Sequence, residues 1–173
     1  MVNRSSLWFK LRILTTPHGA RGDRDRGKLH EPFLARHGRN FKVAEQAYIY
    51  SPDLLEVGDD VYVGFGSYLG NGPIRLEDEV LIGNHVSITA ANHLRKGNSY
   101  RFGGSEMDGI IVGRGSWIAA HACITAGVSI GEGCLVAAGA VVTKSFGDNL
   151  LIAGVPARAI GAADKAAGIG ARD

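Results

Sequence analysis

The chain has 173 residues, 25 of them glycine, with 45% hydrophobic residues and a formal net charge of +2. That length suits one domain with a buried core, and the apolar content excludes a disordered chain. Glycine at about twice its ordinary share of roughly 7%, with no collagen period, points to many tight turns.

The charge is uneven along the chain. Residues 1–40 hold nine Lys/Arg and three Asp/Glu, and residues 41–173 hold ten and fourteen. The run LWFKLRIL at 7–14 is too short and too charged to span a bilayer. Two uses stay open for this basic start: covering an open end of a repeat array, or peripheral contact with an anionic membrane surface. No nucleic-acid-binding motif is interleaved with the basic residues. No signal peptide is visible, so a reducing, cytoplasmic setting is expected, possible work near the inner membrane surface included. Cys123 and Cys134 form neither a disulfide framework nor a zinc spacing.

From Val57 onward an aliphatic residue recurs every sixth position. Val57, Val63 and Leu69 are followed, after one extra residue, by Leu76, Ile82, Ile88 and Leu94. After a gap come Val112, Ile118, Ile124, Ile130, Val136 and Val142. An even period keeps side chains on one face of a strand, whereas a helix would scatter them. Two and three positions after each beat stand turn residues such as Asp59-Asp60, Asn84-His85 and Glu132-Gly133. The fourth position is mostly small or β-branched, as at Val61, Ser67, Val80, Val86, Ser116, Ala122, Val128, Cys134 and Ala140, and is expected to point inward. Each hexapeptide therefore reads as a short strand plus a corner, which must stack on its neighbours to bury its aliphatic side. Tyr62, Tyr68, Ile74, Leu81, Trp117, Leu135 and Val141 are expected to point outward and to pack on copies of the chain. A prism with three faces suits a ring of three.

The pattern resembles the hexapeptide-repeat proteins, which implies an all-β fold: a left-handed parallel β-helix with three hexapeptides per coil. The expected organisation is a capping segment over 1–40, the solenoid over 41–160 and a C-terminal tail over 161–173 that could be helical. The silence at 94–111 reads as one excursion loop, and long excursions from a solenoid tend to carry function. His93 stands at its root, on a strand end beside the loop, a placement that suits a catalytic group. His85 and His121 occupy corners that the turn alone explains.

Residues 76–160 resemble the acetyl-CoA-dependent sugar O-acetyltransferases of the hexapeptide superfamily, including the maltose, galactoside, exopolysaccharide and O-antigen enzymes. The matching blocks are VLIGNHVSITAANH, GSWIAAHACITAGVSIGEGCLVAAGAVVTKS and IAGVPARAI. The resemblance implies acetyl-CoA as co-substrate, a homotrimer, and His93 as the base that takes a proton from an acceptor hydroxyl. It also implies Trp117 in the acceptor and thioester pocket, and Ala138, Thr143, Lys144 and Arg158 at the cofactor. Asn71 and Asn92 are acceptor-side candidates, although an Asn-Gly turn alone also explains Asn71. Ala120 departs from a serine of the family, and Phe146-Gly147-Asp148-Asn149 from a proline pair. Residues 1–40 do not resemble the helical start of the maltose and galactoside enzymes, which turns the expected acceptor towards the polysaccharide branch.

Three other readings compete. The acceptor could be an amino-sugar amine or an antibiotic hydroxyl. A zinc hydratase on the same fold would need three converging histidines, and His85, His93 and His121 lack that spacing. A non-catalytic assembly module would have no use for His93, Trp117, Lys144 and Arg158 together.

Overall fold

The computed structural model describes residues 7–164. Among them, short strands wind into a left-handed parallel β-helix of about six turns with three faces. The first face stacks Arg36–His37, Leu55–Val57, Ile74–Leu76, Ile110–Val112 and Ser129–Ile130. The second stacks Lys42–Val43, Tyr62–Val63, Leu81–Ile82, Trp117–Ile118, Leu135–Val136 and Leu150–Gly154, and Ala157–Ala162 folds back antiparallel on the last of these. The third stacks Tyr48–Ile49, Tyr68–Leu69, Ser87–Ile88, Cys123–Ile124 and Val141–Val142.

The six-residue beat is the interior ladder. On the second face Val43, Val63, Ile82, Ile118, Val136 and Ile152 lie in register. Ile49, Leu69, Ile88, Ile124 and Val142 do the same on the third, and Val57, Leu76, Val112 and Ile130 on the first. None of these side chains is more than 1% exposed. Each contributes about 1.5–3 kcal/mol by burial, and a one-residue slip would turn a whole ladder outward.

The corners follow the turn chemistry. Asp60, Glu79, His85 and His121 hold φ between 55° and 61° at the third position after the beat. The fourth position is buried at Val61, Ser67, Val80, Val86, Ser116, Ala122, Val128, Cys134 and Ala140, and exposed at Pro73 and Asn92 beside the hairpin. Where that residue is serine, its hydroxyl is used: Ser67 Oγ donates to the Gly83 carbonyl at 2.7 Å and accepts the Val86 N–H at 3.1 Å. Ser116 repeats the arrangement with Gly131 and Cys134. Buried hydroxyls thus splice one coil to the next without an unmet polar group.

Several expectations need correction. The stacked strands begin at Arg36, earlier than residue 41, and the first coil contributes Val43 and Ile49 to the core. Leu94 is 40% exposed, so the beat stops at Ile88; it resumes at Val112 as expected, with Ile110 also buried two residues before it. Ile74 is 3% exposed and points inward, because it stands two residues before Leu76 and the outward position is Arg75. The excursion is a two-stranded hairpin, Ala91–His93 against Ser105–Met107. At the other end the strand Ala157–Ala162 runs past the boundary expected at 161, and the remainder of the expected tail, 165–173, lies outside the described residues.

Residues 7–30 are largely helical, contrary to the expectation for residues 1–40. Helix α1 spans Leu7–Thr15 and α2 spans Ala20–His30. They pack against the first coil. A Cβ on Gly27 would stand 2.0 Å from the Phe41 carbonyl oxygen, so only glycine lets α2 approach that strand. Arg26 is 2% exposed and ties the pieces together. Its Nε donates to the Val43 carbonyl at 2.9 Å, Nη1 to the Thr16 and Pro17 carbonyls, and Nη2 to Asp23. Glu45 lies 3.5 Å from Nη2. Arg26→Met keeps the stem and removes the charge, leaving these acceptors without their donor. Stability is expected to fall by about 3 kcal/mol, seen as a lower urea midpoint at unchanged slope. An unmoved midpoint would show that apolar contact alone holds the helices.

Candidate active site

The hairpin that interrupts the solenoid carries His93 on its first arm. Backbone pairing sets Ala91 opposite Met107, Asn92 opposite Glu106 and His93 opposite Ser105. The Leu94 N–H donates to the Gly104 carbonyl at 3.0 Å, which closes the neck above His93. Asn92 and His93 are both exposed. The imidazole therefore rides on paired backbone while its ring faces solvent, and no hydrogen bond to that ring forms among the described residues.

Asn71 lies one coil below, at the corner where the third face turns into the first. Its carbonyl accepts the Ala90 N–H at 3.0 Å, directly under the hairpin root. Its side-chain Oδ1 accepts from Ser51 Oγ at 2.9 Å. Thr143 and Lys144 follow the third face two coils above, since Ile88, Ile124 and Val142 are in register. At about 4.8 Å per coil that is roughly 10 Å along the prism edge. Both are exposed, and the Lys144 ammonium stands 5.5 Å from the centre of the Phe146 ring.

The other candidates stand elsewhere. Trp117 projects from the second face between Leu81 and Leu135. Ala138 is exposed at the corner after that face, beside Gly139, whose N–H donates to the Ala120 carbonyl at 2.9 Å. Arg158 lies on the antiparallel strand Ala157–Ala162, opposite Ala153. One chain therefore gathers His93, Asn92, Asn71, Thr143 and Lys144 on one edge. Trp117 and Ala138 belong to a different side of the prism.

The thiols have little in common with an acyl carrier. Cys134 is 2% exposed, its Sγ lies 3.1 Å from the Gly147 carbonyl oxygen, and burial pushes its pKa up. Thiolate, the nucleophilic form, is disfavoured there. Cys123 is half-buried on the third face. Both are free. Among the described residues no three His, Cys, Asp or Glu side chains group as a metal site.

Sequence reasoning missed an aromatic group next to Asn71. Tyr48, Tyr50 and Tyr68 contact one another on the third face, with ring centres 6.1–6.5 Å apart. The alternation Tyr48-x-Tyr50 was the available signal, and it stood outside the run of beats.

Two family models match separate parts of the chain: bacterial transferase hexapeptide (six repeats) over residues 109–144, and hexapeptide repeat of succinyl-transferase over residues 55–90. The chain belongs to the hexapeptide-repeat transferase family. A galactoside O-acetyltransferase of Escherichia coli (strain K12) is 31% identical over 131 residues, which cover 68% of this chain and 62% of that protein. The match thus takes in less than two thirds of the relative's length. A galactoside acetyltransferase solved in complex with coenzyme A superposes with a TM-score of 0.80 at 26% identity, over 96% of this chain and 85% of that one. A perosamine N-acetyltransferase from Caulobacter crescentus, solved with CoA and GDP-perosamine, superposes with a TM-score of 0.59 at 25% identity, over 75% and 51%. The likeness to the galactoside enzyme takes in the N-terminal helices, so the distinction drawn from residues 1–40 against that branch no longer stands.

Proposed function

We propose that this chain transfers an acetyl group from acetyl-CoA to a hydroxyl of a sugar or polysaccharide precursor, with His93 as general base and no acyl-enzyme. The observation that carries the reading is the exposed imidazole on a paired hairpin arm, where the chain leaves the ladder for the long excursion between Ile88 and Val112. Kinship with a galactoside O-acetyltransferase supplies the chemistry.

A neutral imidazole accepts the proton of the acceptor hydroxyl as its oxygen attacks the thioester carbonyl. The tetrahedral oxyanion collapses, the carbon–sulfur bond breaks, and the imidazolium returns the proton to the departing CoA sulfur. The thioester is already activated, so one base suffices. Lys144 and Arg158 offset the phosphates of CoA. Small Ala138 lets the pantetheine arm approach the backbone, beside Thr143. Trp117 walls the reacting centre, and Asn71 and Asn92 hold the acceptor.

The working unit is a homotrimer. Leu81, Trp117 and Leu135 leave the second face apolar, whereas Arg36, Glu56 and Arg75 charge the first. An apolar face of that kind seeks a partner. In a ring, one subunit's Trp117 and Ala138 side meets the next subunit's His93 edge.

Thiol release from acetyl-CoA, screened against sugars, amino sugars and antibiotic hydroxyls, tests the reading. Turnover on a sugar hydroxyl is expected. Turnover only on an amine would replace it with N-acetylation, the reaction for which the perosamine enzyme is named.

The basic start is proposed to rest on an anionic membrane surface. No helix among the described residues is long and apolar enough to cross a membrane. Helix α1 nevertheless exposes Leu7, Trp8, Leu11 and Leu14 beside Lys10 and Arg12, the mixture that seats a helix at a lipid interface. The protein is expected to cosediment with phosphatidylglycerol vesicles and to lose that binding as the Lys10→Glu/Arg12→Glu variant. Equal sedimentation of both proteins would remove the membrane role.

A further inference from the structure

The third face changes character along the prism. Its outward residues in the upper coils are Ser87, Cys123 and Val141, all small or aliphatic, and in the two lower coils they are Tyr48 and Tyr68. The rings of Tyr48 and Tyr68 are parallel to within 1°, with centres 6.1 Å apart. Tyr50 stands at 62° and 61° to the two rings, 6.4 and 6.5 Å away, and turns the platform towards the corner. Tyr48 and Tyr50 are each 54% exposed and Tyr68 38%, so the solenoid core does not need them. Burial, with Tyr50 and Tyr48 beside it, raises the Tyr68 pKa; its phenol stays protonated at neutral pH and keeps its donor.

The platform leads somewhere. The residue after Tyr50 is Ser51, whose hydroxyl bonds Asn71, and the Asn71 carbonyl holds the Ala90 N–H under the hairpin root. Three residues of extended chain, about 10 Å, then reach His93. Aromatic faces, a hydroxyl–amide pair and the base therefore follow one another along a single edge. The faces of a pyranose are apolar and its rim carries hydroxyls. Such a ring lies flat on aromatic side chains while its rim meets polar groups, the usual make-up of a small-molecule site.

Building on the acetyltransferase reading, we infer that Tyr48, Tyr50 and Tyr68, with Ser51 and Asn71, form a second acceptor subsite that binds a sugar unit next to the one being acetylated. The acceptor is then a disaccharide or longer glycan. A single ring placed at His93 does not reach the tyrosines. The preference for length comes from this chain's own aromatic residues.

The test uses the full-length protein without acetyl-CoA. Binding of glucose, galactose, maltose and lactose is measured by saturation-transfer NMR, alongside assembly mass by light scattering. At least one disaccharide is expected to bind roughly tenfold tighter than its monosaccharide, the size of about one aromatic contact. Tyr50→Ala and Tyr68→Ser are each expected to erase that gain at unchanged assembly mass. Equal binding of one and two rings, no binding of any of the four sugars, or a gain that survives both variants would overturn the subsite. So would a changed assembly mass in both variants, which would make the tyrosines an interface. Binding is read without the acyl donor, so a protein that prefers the disaccharide but releases no thiol from acetyl-CoA would refute the transfer reaction and leave the subsite standing.

Discussion

His93→Ala is expected to lower acetyl transfer by roughly 10²–10⁴-fold while CoA still binds, the usual range for loss of a general base. His93 is exposed, and its backbone partners are unaffected by truncation at Cβ, so the hairpin with Ser105–Met107 should survive. Circular dichroism of the variant checks that the solenoid is intact. The acceptor hydroxyl is a poor nucleophile without a base to take its proton, and Cys134, buried with a raised pKa, offers no second route. The loss should therefore fall on kcat. Lys144→Ala makes the complementary case. It removes a positive charge from the same edge and should weaken CoA while leaving kcat at saturating acetyl-CoA nearly unchanged. Turnover of His93→Ala close to wild type would place the base elsewhere. A raised KM for acetyl-CoA with kcat retained in both variants would mean that the edge acts only by binding CoA.

The core was legible in the sequence because a solenoid repeats its physics. Each coil faces the same interior, so the same aliphatic requirement returns every sixth residue within each run, and the residues it selects, Val63, Ile82, Ile118 and Val136, lie in register on the second face. The first coil escaped because eight residues separate Ile49 from Val57, where the short turn Pro52–Leu54 adds length to the corner. Leu94 was misread for the opposite reason. It keeps the period by number, but the chain has already left the stack, and only the pairing of Ala91–His93 with Ser105–Met107 reveals this. Helix α2 was hidden by its composition. A segment with Gly22, Gly27 and four arginines and lysines among polar neighbours carries no apolar stripe, and its stability comes from the close approach of Gly27 to Phe41 and from the bonds of Arg26. These are tertiary causes, which a local pattern does not encode. The candidate site was readable where one residue type marks it, as His93 does at the break in the beat. The tyrosine platform depends on three rings meeting across two coils, which period alone does not disclose.

The division of candidate residues between two sides of the prism leads to the second large effect. If one subunit supplies His93 and its neighbour supplies the groove lined by Trp117 and Ala138, each active centre needs two chains. On that reading His93→Ala assemblies would lack the base, and Ala138→Trp assemblies would keep it but fill the proposed pantetheine groove, at an exposed corner where the added ring meets solvent rather than core. Each pure variant should be nearly inactive. Co-expressed in equal amounts, the two chains assemble at random, and a given centre draws an intact His93 from one chain and an intact groove from the next. In a closed ring that occurs for about one quarter of the centres. Separately tagged chains, purified in tandem so that only mixed assemblies remain, should regain about one third of the activity, because each mixed ring of three holds one complete centre. Residues acting within one chain give the opposite result, because every chain carries one lesion and no mixture restores a complete centre. Verified mixed assemblies without activity would therefore assign His93 and Ala138 to the same subunit's site or refute the role of one of them, and the binding of CoA to each pure variant separates those two outcomes.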